Sequence, residues 1–386
     1  MNRKQFLILL VLVVVLGVAG LLVYQRGNNS WTSGGAAIGQ KLLPNLPIND
    51  VAQITIKSGA GEVNLERRDN LWRVRESANY PANFSQISDL LMKLADMKVA
   101  QNVEVGPSQY GRLELQEPGP GSNSGTSLEL KDQTGKSLGT LLLGKKHMKK
   151  PGSNPQMGGM GDEGWPDGRY VLTDSKAVAV ISDPLDNVEP KPEQWLNKDF
   201  LSVEKPKVIS VQYPEATNSW KLTRASETND WVLADAKHSE KLDSTKISSV
   251  TSPLSSPSFN DVAALSPGIS ASNTVLTVET FDGFTYTSDI RPKHNDNYPV
   301  SFSVTAHLPT NRTAAQDEKP ADKAKLDKDF QTQQKALSDR LAKESAFTNW
   351  LYEIPAYSLD EVLKTRQQLL EEASTNSAAT NNTASK

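Results

Sequence analysis

The sequence predicts an α+β protein: an N-terminal transmembrane helix followed by two repeated domains, each a mainly antiparallel sheet with a packed helix. Three observations predict it. A charge-free apolar run stands near the N-terminus, short alternating strand patterns are separated by turn residues, and one order of segments recurs in the second half of the chain.

Phe6 to Tyr24 reads FLILLVLVVVLGVAGLLVY. At 1.5 Å per residue a run of about 19 spans roughly 28 Å, close to the hydrocarbon thickness of a bilayer. Arg3 and Lys4 precede the run and Arg26 follows it, which biases the N-terminus to the cytoplasm. Residues 1–26 are therefore expected to be a single-pass anchor in the cytoplasmic (inner) membrane, with the bulk of the chain extracytoplasmic or periplasmic. The alternative is a cleaved signal peptide ending at Val18-Ala19-Gly20. Against it, the apolar run continues through Leu21-Leu22-Val23.

At 386 residues the chain exceeds one ordinary core, so two domains are expected behind the anchor. A net charge of −3 leaves no electrostatic footprint for nucleic acid, and that partner is not expected. The absence of cysteine excludes disulfides, thiolate metal sites and cysteine nucleophiles.

Residues 27–45 form a Gly/Ser/Asn-rich spacer, expected to be flexible. Val51, Ile54 and Ile56 lead a strand, Val63 and Leu65 alternate in a second, and Leu71–Val74 makes a third, with turns at Ser58–Gly61 and Asp69-Asn70. Asn83 or Ser85 can cap a helix whose apolar face is Ile87, Leu90, Leu91 and Leu94. Strands follow at 127–130, 138–143, 169–172 and 178–181. The same order then returns: Val208–Tyr213 matches Val51–Ile56, Trp231–Leu233 matches Trp72–Val74, and Ile247, Val250 and Leu254 match Ile87, Leu90 and Leu94. Thr277–Gly283 echoes Leu128–Gly135, Asn260–Val262 echoes Gln101–Val103, and Phe302–Val304 echoes Tyr170–Leu172. So many matches in one order predict an internal duplication, with repeats at 46–203 and 204–372 and a disordered tail at 373–386.

Two insertions break the repeat. Residues 145–166 are expected to be a Gly- and Met-rich loop. Residues 310–346 hold a charged helix with Leu326, Phe330, Leu337 and Leu341 along one side. That stripe is the possible partner surface, since it must either dock on the second domain or meet another protein.

Catalytic constellations are not visible. The histidines (His147, His238, His294, His307) stand apart without metal-ligand spacing. Gly159–Gly164 matches G-x-G-x-x-G, but Trp165-Pro166 follows where a helix would have to open. His147, Met148, Met157 and Met160 suit a soft metal, opposed by Lys145, Lys146, Lys149 and Lys150. That lysine cluster could touch anionic headgroups, although a solvated loop is the default. No cofactor and no catalytic residue is expected. Tryptophans 72, 195, 220, 231 and 350 are assigned to packing.

The chain resembles the domain-of-unknown-function 4340 family. The carriers are Trp72-x-Val74, Tyr80-Pro81-Ala82, the helix from Ile87, Tyr110-Gly111 with Leu113, Leu142-Leu143-Gly144, Gly168–Val171 and the C-terminal Asn349–Pro355. Arg112 and the Met-rich loop depart from the pattern. The resemblance implies a single-pass membrane protein, often encoded beside ABC-type transporter components of the gliding-motility kind, and it carries no catalytic residues. The function expected is therefore a membrane-anchored extracytoplasmic binding or scaffold protein, accessory to an ABC-type transport system. The rivals are an envelope-polymer hydrolase with an unrecognised carboxylate pair and a soft-metal carrier.

Overall fold

The computed structural model describes residues 38–149, 165–174, 176–238, 240–265, 272–314 and 318–371. The expected anchor, the Gly/Met-rich centre of the first insertion and the expected tail lie outside these residues. Among the described residues no helix is long and apolar enough to cross a membrane. The chain divides into two units, Met1–Asn197 and Lys198–Lys386, a division that falls ahead of the one expected near residue 203.

Unit 1 is built on β1 (Val51–Ser58), β2 (Gly61–Arg68), β3 (Leu71–Val74), β4 (Tyr80–Pro81), β5 (Val99–Val103), β6 (Thr126–Asp132), β7 (Ser137–Lys149), β8 (Trp165–Thr173) and β9 (Val178–Ile181). They form one antiparallel sheet in the order β4-β3-β2-β1-β6-β7-β8-β9-β5. Alternation sends Ile54, Ile56, Val63, Leu65, Leu128 and Leu130 to one face, where all are buried. Helix α1 (Phe84–Asp96) covers that face with Ile87, Leu90, Leu91 and Leu94, the set that 3.6-residue spacing selects. Asn83 caps it, its side-chain oxygen accepting from Gln86 N–H at 3.2 Å. The last residues of the spacer belong to the fold: Leu42 is buried, and Gly39 N–H donates to the Val99 carbonyl at 2.9 Å.

Unit 2 repeats this with β10 (Pro206–Gln212), β11 (Trp220–Thr223), β12 (Val232–Leu233), β13 (Val262–Ala264), β14 (Thr274–Thr280), β15 (Phe284–Ile290), β16 (Asn297–Ala306) and β17 (Trp350–Pro355). Its order is β12-β11-β10-β14-β15-β16-β17-β13, the order of unit 1 without a counterpart of β4. Registers agree in detail. Ile54 faces Leu65 and Leu130, as Ile209 faces Leu222 and Val278. An irregularity interrupts β1–β6 between Val51 and Gln53, and β10–β14 between Pro206 and Val208. The following turns place Gly135 and Gly283 at the same φ of +85°, left-handed backbone that glycine adopts without strain. The closures agree too: Asn83 N–H donates to the Trp195 carbonyl and Asp243 N–H to that of Leu369. The internal repeat is real, but its register corrects the sequence reading: Ile209 answers to Ile54, not to Ala52.

The units differ most in their helices. Helix α2 (Ser244–Ser248), capped by Asp243, has five residues against thirteen in α1. The hydroxyls of Ser248, Ser249 and Thr251 bond back to carbonyls three residues earlier, and Pro253 cannot extend the helix. Counted from the caps, Ile247 still sits where Ile87 does, and Val250 and Leu254 are buried like Leu90 and Leu94. Aromatic rings fill the rest of this core. Phe200 lies 4.7–5.4 Å, centroid to centroid, from Phe259, Phe302, Phe347 and Tyr352.

The first insertion is not a loop from its first residue. Lys146–Lys149 pair with Trp165–Arg169, continuing β7 and β8 as a two-stranded ribbon. Of the five tryptophans assigned to packing, Trp72, Trp195 and Trp220 are buried, while Trp231 and Trp350 are half-buried.

Candidate functional site

The second insertion forms α3 (Pro320–Ser345), twenty-six residues inserted between β16 and β17. Proline opens the helix at its first turn, where the missing N–H costs nothing. Arg312 binds Glu318 and also Asp327 (2.8 Å), tying the preceding segment to the first turns. The C-terminal end is held by chemistry the sequence reading missed. Arg340 donates to Glu344 at 3.0 Å, to the Ser202 carbonyl at 2.5 Å and to the Tyr286 hydroxyl at 3.0 Å. Tyr286 in turn donates to Glu344 at 2.7 Å. Burial pushes the Tyr286 hydroxyl well above its ordinary pKa, and the Glu344 carboxylate adds to the shift. Glu344 is buried, so removing one partner of this pair would cost about 3–5 kcal/mol. Lys343 reaches Asp199 at 2.7 Å.

The expected stripe lies along this helix, neither buried nor free. Leu326 is 40% exposed, and Phe330, Leu337 and Leu341 are half-buried. Gln334 interrupts the stripe at its middle.

A second site emerges where the repeats disagree. In unit 1 the sheet face opposite α1 is apolar: Leu115, Leu142 and Val178 are buried together, with Val103, Val105, Tyr110, Leu113, Tyr170 and Leu172 packed around them. Residues 104–125 cover it, through a 3-10 turn at Pro107–Leu113. Here the family motifs meet. A Cβ on Gly144 would stand 2.3 Å from the Leu113 carbonyl oxygen, and one on Gly168 2.2 Å from that of Ile181. Arg169 donates to the carbonyls of Gly144, Pro184 and Leu185.

In unit 2 the register places Asp289 at Leu142, Arg291 at Gly144, Pro299 at Tyr170, Ser301 at Leu172 and Glu353 at Val180. The connection corresponding to 104–125 is only 265–273. Asn273, 7% exposed, has neither side-chain atom hydrogen-bonded among the described residues, and Asp289 Oδ1 is buried without a hydrogen-bond partner among them. Burial holds the Glu353 carboxyl above the usual carboxylate range, the charge of Asp261 pushes the same way, and His294 opposes them. Glu353 N–H donates to the Asp261 carbonyl at 2.9 Å, so the two residues are neighbours. The registers of the sequence reading were off by one to three residues on these strands, which hid leucine-to-aspartate and valine-to-glutamate exchanges that correct alignment exposes.

Other candidates are spoken for. A cavity of about 450 Å³ in unit 2 is lined by Trp220, Asp235, Lys237 and Arg366. Arg366, however, spends its donors on Asp235 and Glu240, and the Trp220 indole donates to the Lys364 carbonyl. His147 lies 2.6 Å from Asp167, and no metal-holding group of His, Asp and Glu occurs among the described residues. Met157 and Met160 lie outside them.

Two antiparallel α+β units of one topology, each with its own insertion, define a duplicated domain. The profile of the family described as a domain of unknown function (DUF4340) matches residues 72–153 and 160–275, and the chain belongs to that family. The match ends before α3 and before the Asn349–Pro355 motif. No curated protein and no solved structure matches the chain.

Proposed function

We propose that this is a membrane-held extracytoplasmic binding or scaffold protein, accessory to an ABC-type transport system, and that α3 presents its partner surface. One observation carries the reading. The helix is fixed at its C-terminal end by Arg340, Glu344 and Tyr286, yet it leaves Leu326 exposed and Phe330, Leu337 and Leu341 half-buried. Full burial of an exposed side chain of this kind is worth about 1.5–3 kcal/mol, and an arriving partner would supply the part that these half-exposed side chains have not yet gained. The apolar run at 6–24 supports the membrane location, and family membership supports the transporter setting.

The test is crosslinking in native membranes with Leu326→Asp and Leu337→Asp. The expected result is a melting temperature within about 2 °C of wild type, with the crosslinked partners lost. A large loss of thermal stability with crosslinks retained would make the stripe part of the core.

The hydrolase reading has one observation in its favour, the neighbouring Asp261 and Glu353 with the Glu353 carboxyl raised. It requires that purified protein cleave an envelope glycan and that Glu353→Gln abolish the cleavage. Intact glycan with wild-type protein removes it.

A further inference from the structure

We propose that the ribbon of unit 1, Lys145–Lys149 with Trp165–Gly168, is a second membrane contact that rests on anionic phospholipid headgroups. The proposal rests on the reading that residues 6–24 hold the chain at a bilayer.

The ribbon leaves the sheet. Pairing of β6 with β7 ends at Thr126–Leu143, and pairing of β8 with β9 begins at Arg169–Ile181. His147–Lys149 and Trp165–Gly168 therefore pair only with each other. Its base is stiff: Arg169 is fixed on three carbonyls, Lys146 pairs with Asp186, and the His147 ring, bonded to Asp167, stands edge-on to Tyr170 at 5.7 Å.

The outer part has the composition of a headgroup contact. Trp165 is 46% exposed and faces Lys149 across the ribbon, while Met148, 39% exposed, faces Pro166. Lys145 and Lys149 are exposed and enter no ion pair among the described residues. An indole beside exposed ammonium groups suits the boundary between acyl chains and anionic headgroups, where a tryptophan has one apolar and one wet side. The corresponding β15–β16 turn of unit 2 closes tightly through Asn295 and Asp296, so the ribbon belongs to unit 1 alone.

Position supplies the second argument. The chain arrives in unit 1 at Gly39, bonded to Val99; Val99 pairs with Ile181, and Ile181 pairs with Arg169 at the ribbon's base. At about 4.8 Å per strand, the arriving chain and the ribbon lie within about 15 Å of each other. The stretch from Tyr24 to Gly39 can span at most roughly 50 Å, which keeps the ribbon within reach of the surface.

The chain has no cysteine, so Met148→Cys creates a unique labelling position. Full-length protein carrying a fluorophore there is reconstituted into phosphatidylcholine vesicles with and without phosphatidylglycerol. With phosphatidylglycerol, the expected result is shielding from a water-soluble quencher and quenching by a lipid-borne one. The protection should be lost in high salt, in Lys145→Glu/Lys149→Glu and in Trp165→Ala. A label at Gln133→Cys, in the turn at the far end of β7, should stay water-exposed throughout. Equal exposure at both positions, or protection indifferent to phosphatidylglycerol, overturns the proposal. An alkaline carbonate wash reports on the anchor alone. A chain that washes off overturns the anchor reading, whereas a retained chain with residue 148 in water overturns the ribbon contact.

Discussion

The face that unit 1 hides, unit 2 leaves polar. On one topology, Leu142, Leu172, Val178 and Val180 meet the covering segment 104–125 in the first copy. In the second, Asp289, Ser301, Leu351 and Glu353 stand at the same places beside a connection shortened to 265–273. Gly144 is glycine because a carbonyl of the cover occupies the space of its Cβ; at the same position unit 2 carries the whole side chain of Arg291. The difference teaches that the strand framework of this fold does not depend on its outer face. The framework is held from the other side, by α1 in one copy and by aromatic packing with Arg340, Glu344 and Tyr286 in the other. That leaves the outer face free to carry apolar side chains under a cover in one copy and mostly polar side chains in the other.

The comparison breaks most visibly at the cover. Leu115→Ala should cost about 3 kcal/mol, since a buried leucine is lost between two rigid layers. Gly144→Ala should cost about 2 kcal/mol by forcing the cover off the sheet. Denaturant unfolding checks both, and a loss below about 0.5 kcal/mol would mean that residues 104–125 are dispensable.

Asp289→Leu is the converse. It gives unit 2 the residue type of Leu142 and removes a buried carboxylate oxygen that has no hydrogen-bond partner among the described residues. The expected outcome is a gain of about 1 kcal/mol, read as a raised melting temperature. Destabilisation would show that Asp289 holds unit 2 together rather than burdening it.

The smallest effect is in pH dependence. Burial raises the Glu353 carboxyl in the folded chain above its ordinary value, so folding penalises its charged form relative to the protonated one. The stability it contributes is full below the ordinary glutamate pKa and is lost as pH rises through the raised folded value. Glu353→Gln should therefore gain on wild type across that interval, and melting curves at stepped pH compare the two. A constant difference would place the dependence on another group.

Much of the framework was legible because its signals are local. Alternation marked the strands around Ile54, Val63 and Leu128, and helical spacing with Asn83 marked α1. The duplication was legible from order alone, but not its register, because apolar alternation repeats every two residues and tolerates a slip that pairing does not. The α3 stripe could be read from spacing, yet the partners that anchor the helix could not. Arg340 and Glu344 look like one more exposed i,i+4 pair until Tyr286 and Ser202 are brought to them from elsewhere in the chain. The truncation of α2 was written in Ser248, Ser249, Thr251 and Pro253, but there the match to α1 favoured a longer helix.

By itself the sequence determined the α+β class, the two copies, the apolar run at 6–24 and the places where each copy carries an insertion. These follow from hydrophobic period, composition and order, which neighbouring residues settle among themselves. The tertiary structure alone decided that Lys146–Lys149 are strand rather than loop, that Glu344 is buried, and that Asp289, Arg291 and Glu353 occupy the face that leucine, glycine and valine occupy in the other copy. Those outcomes depend on which distant strand arrives opposite, and cross-strand register is set by pairing over the whole sheet, not by the residues on either side.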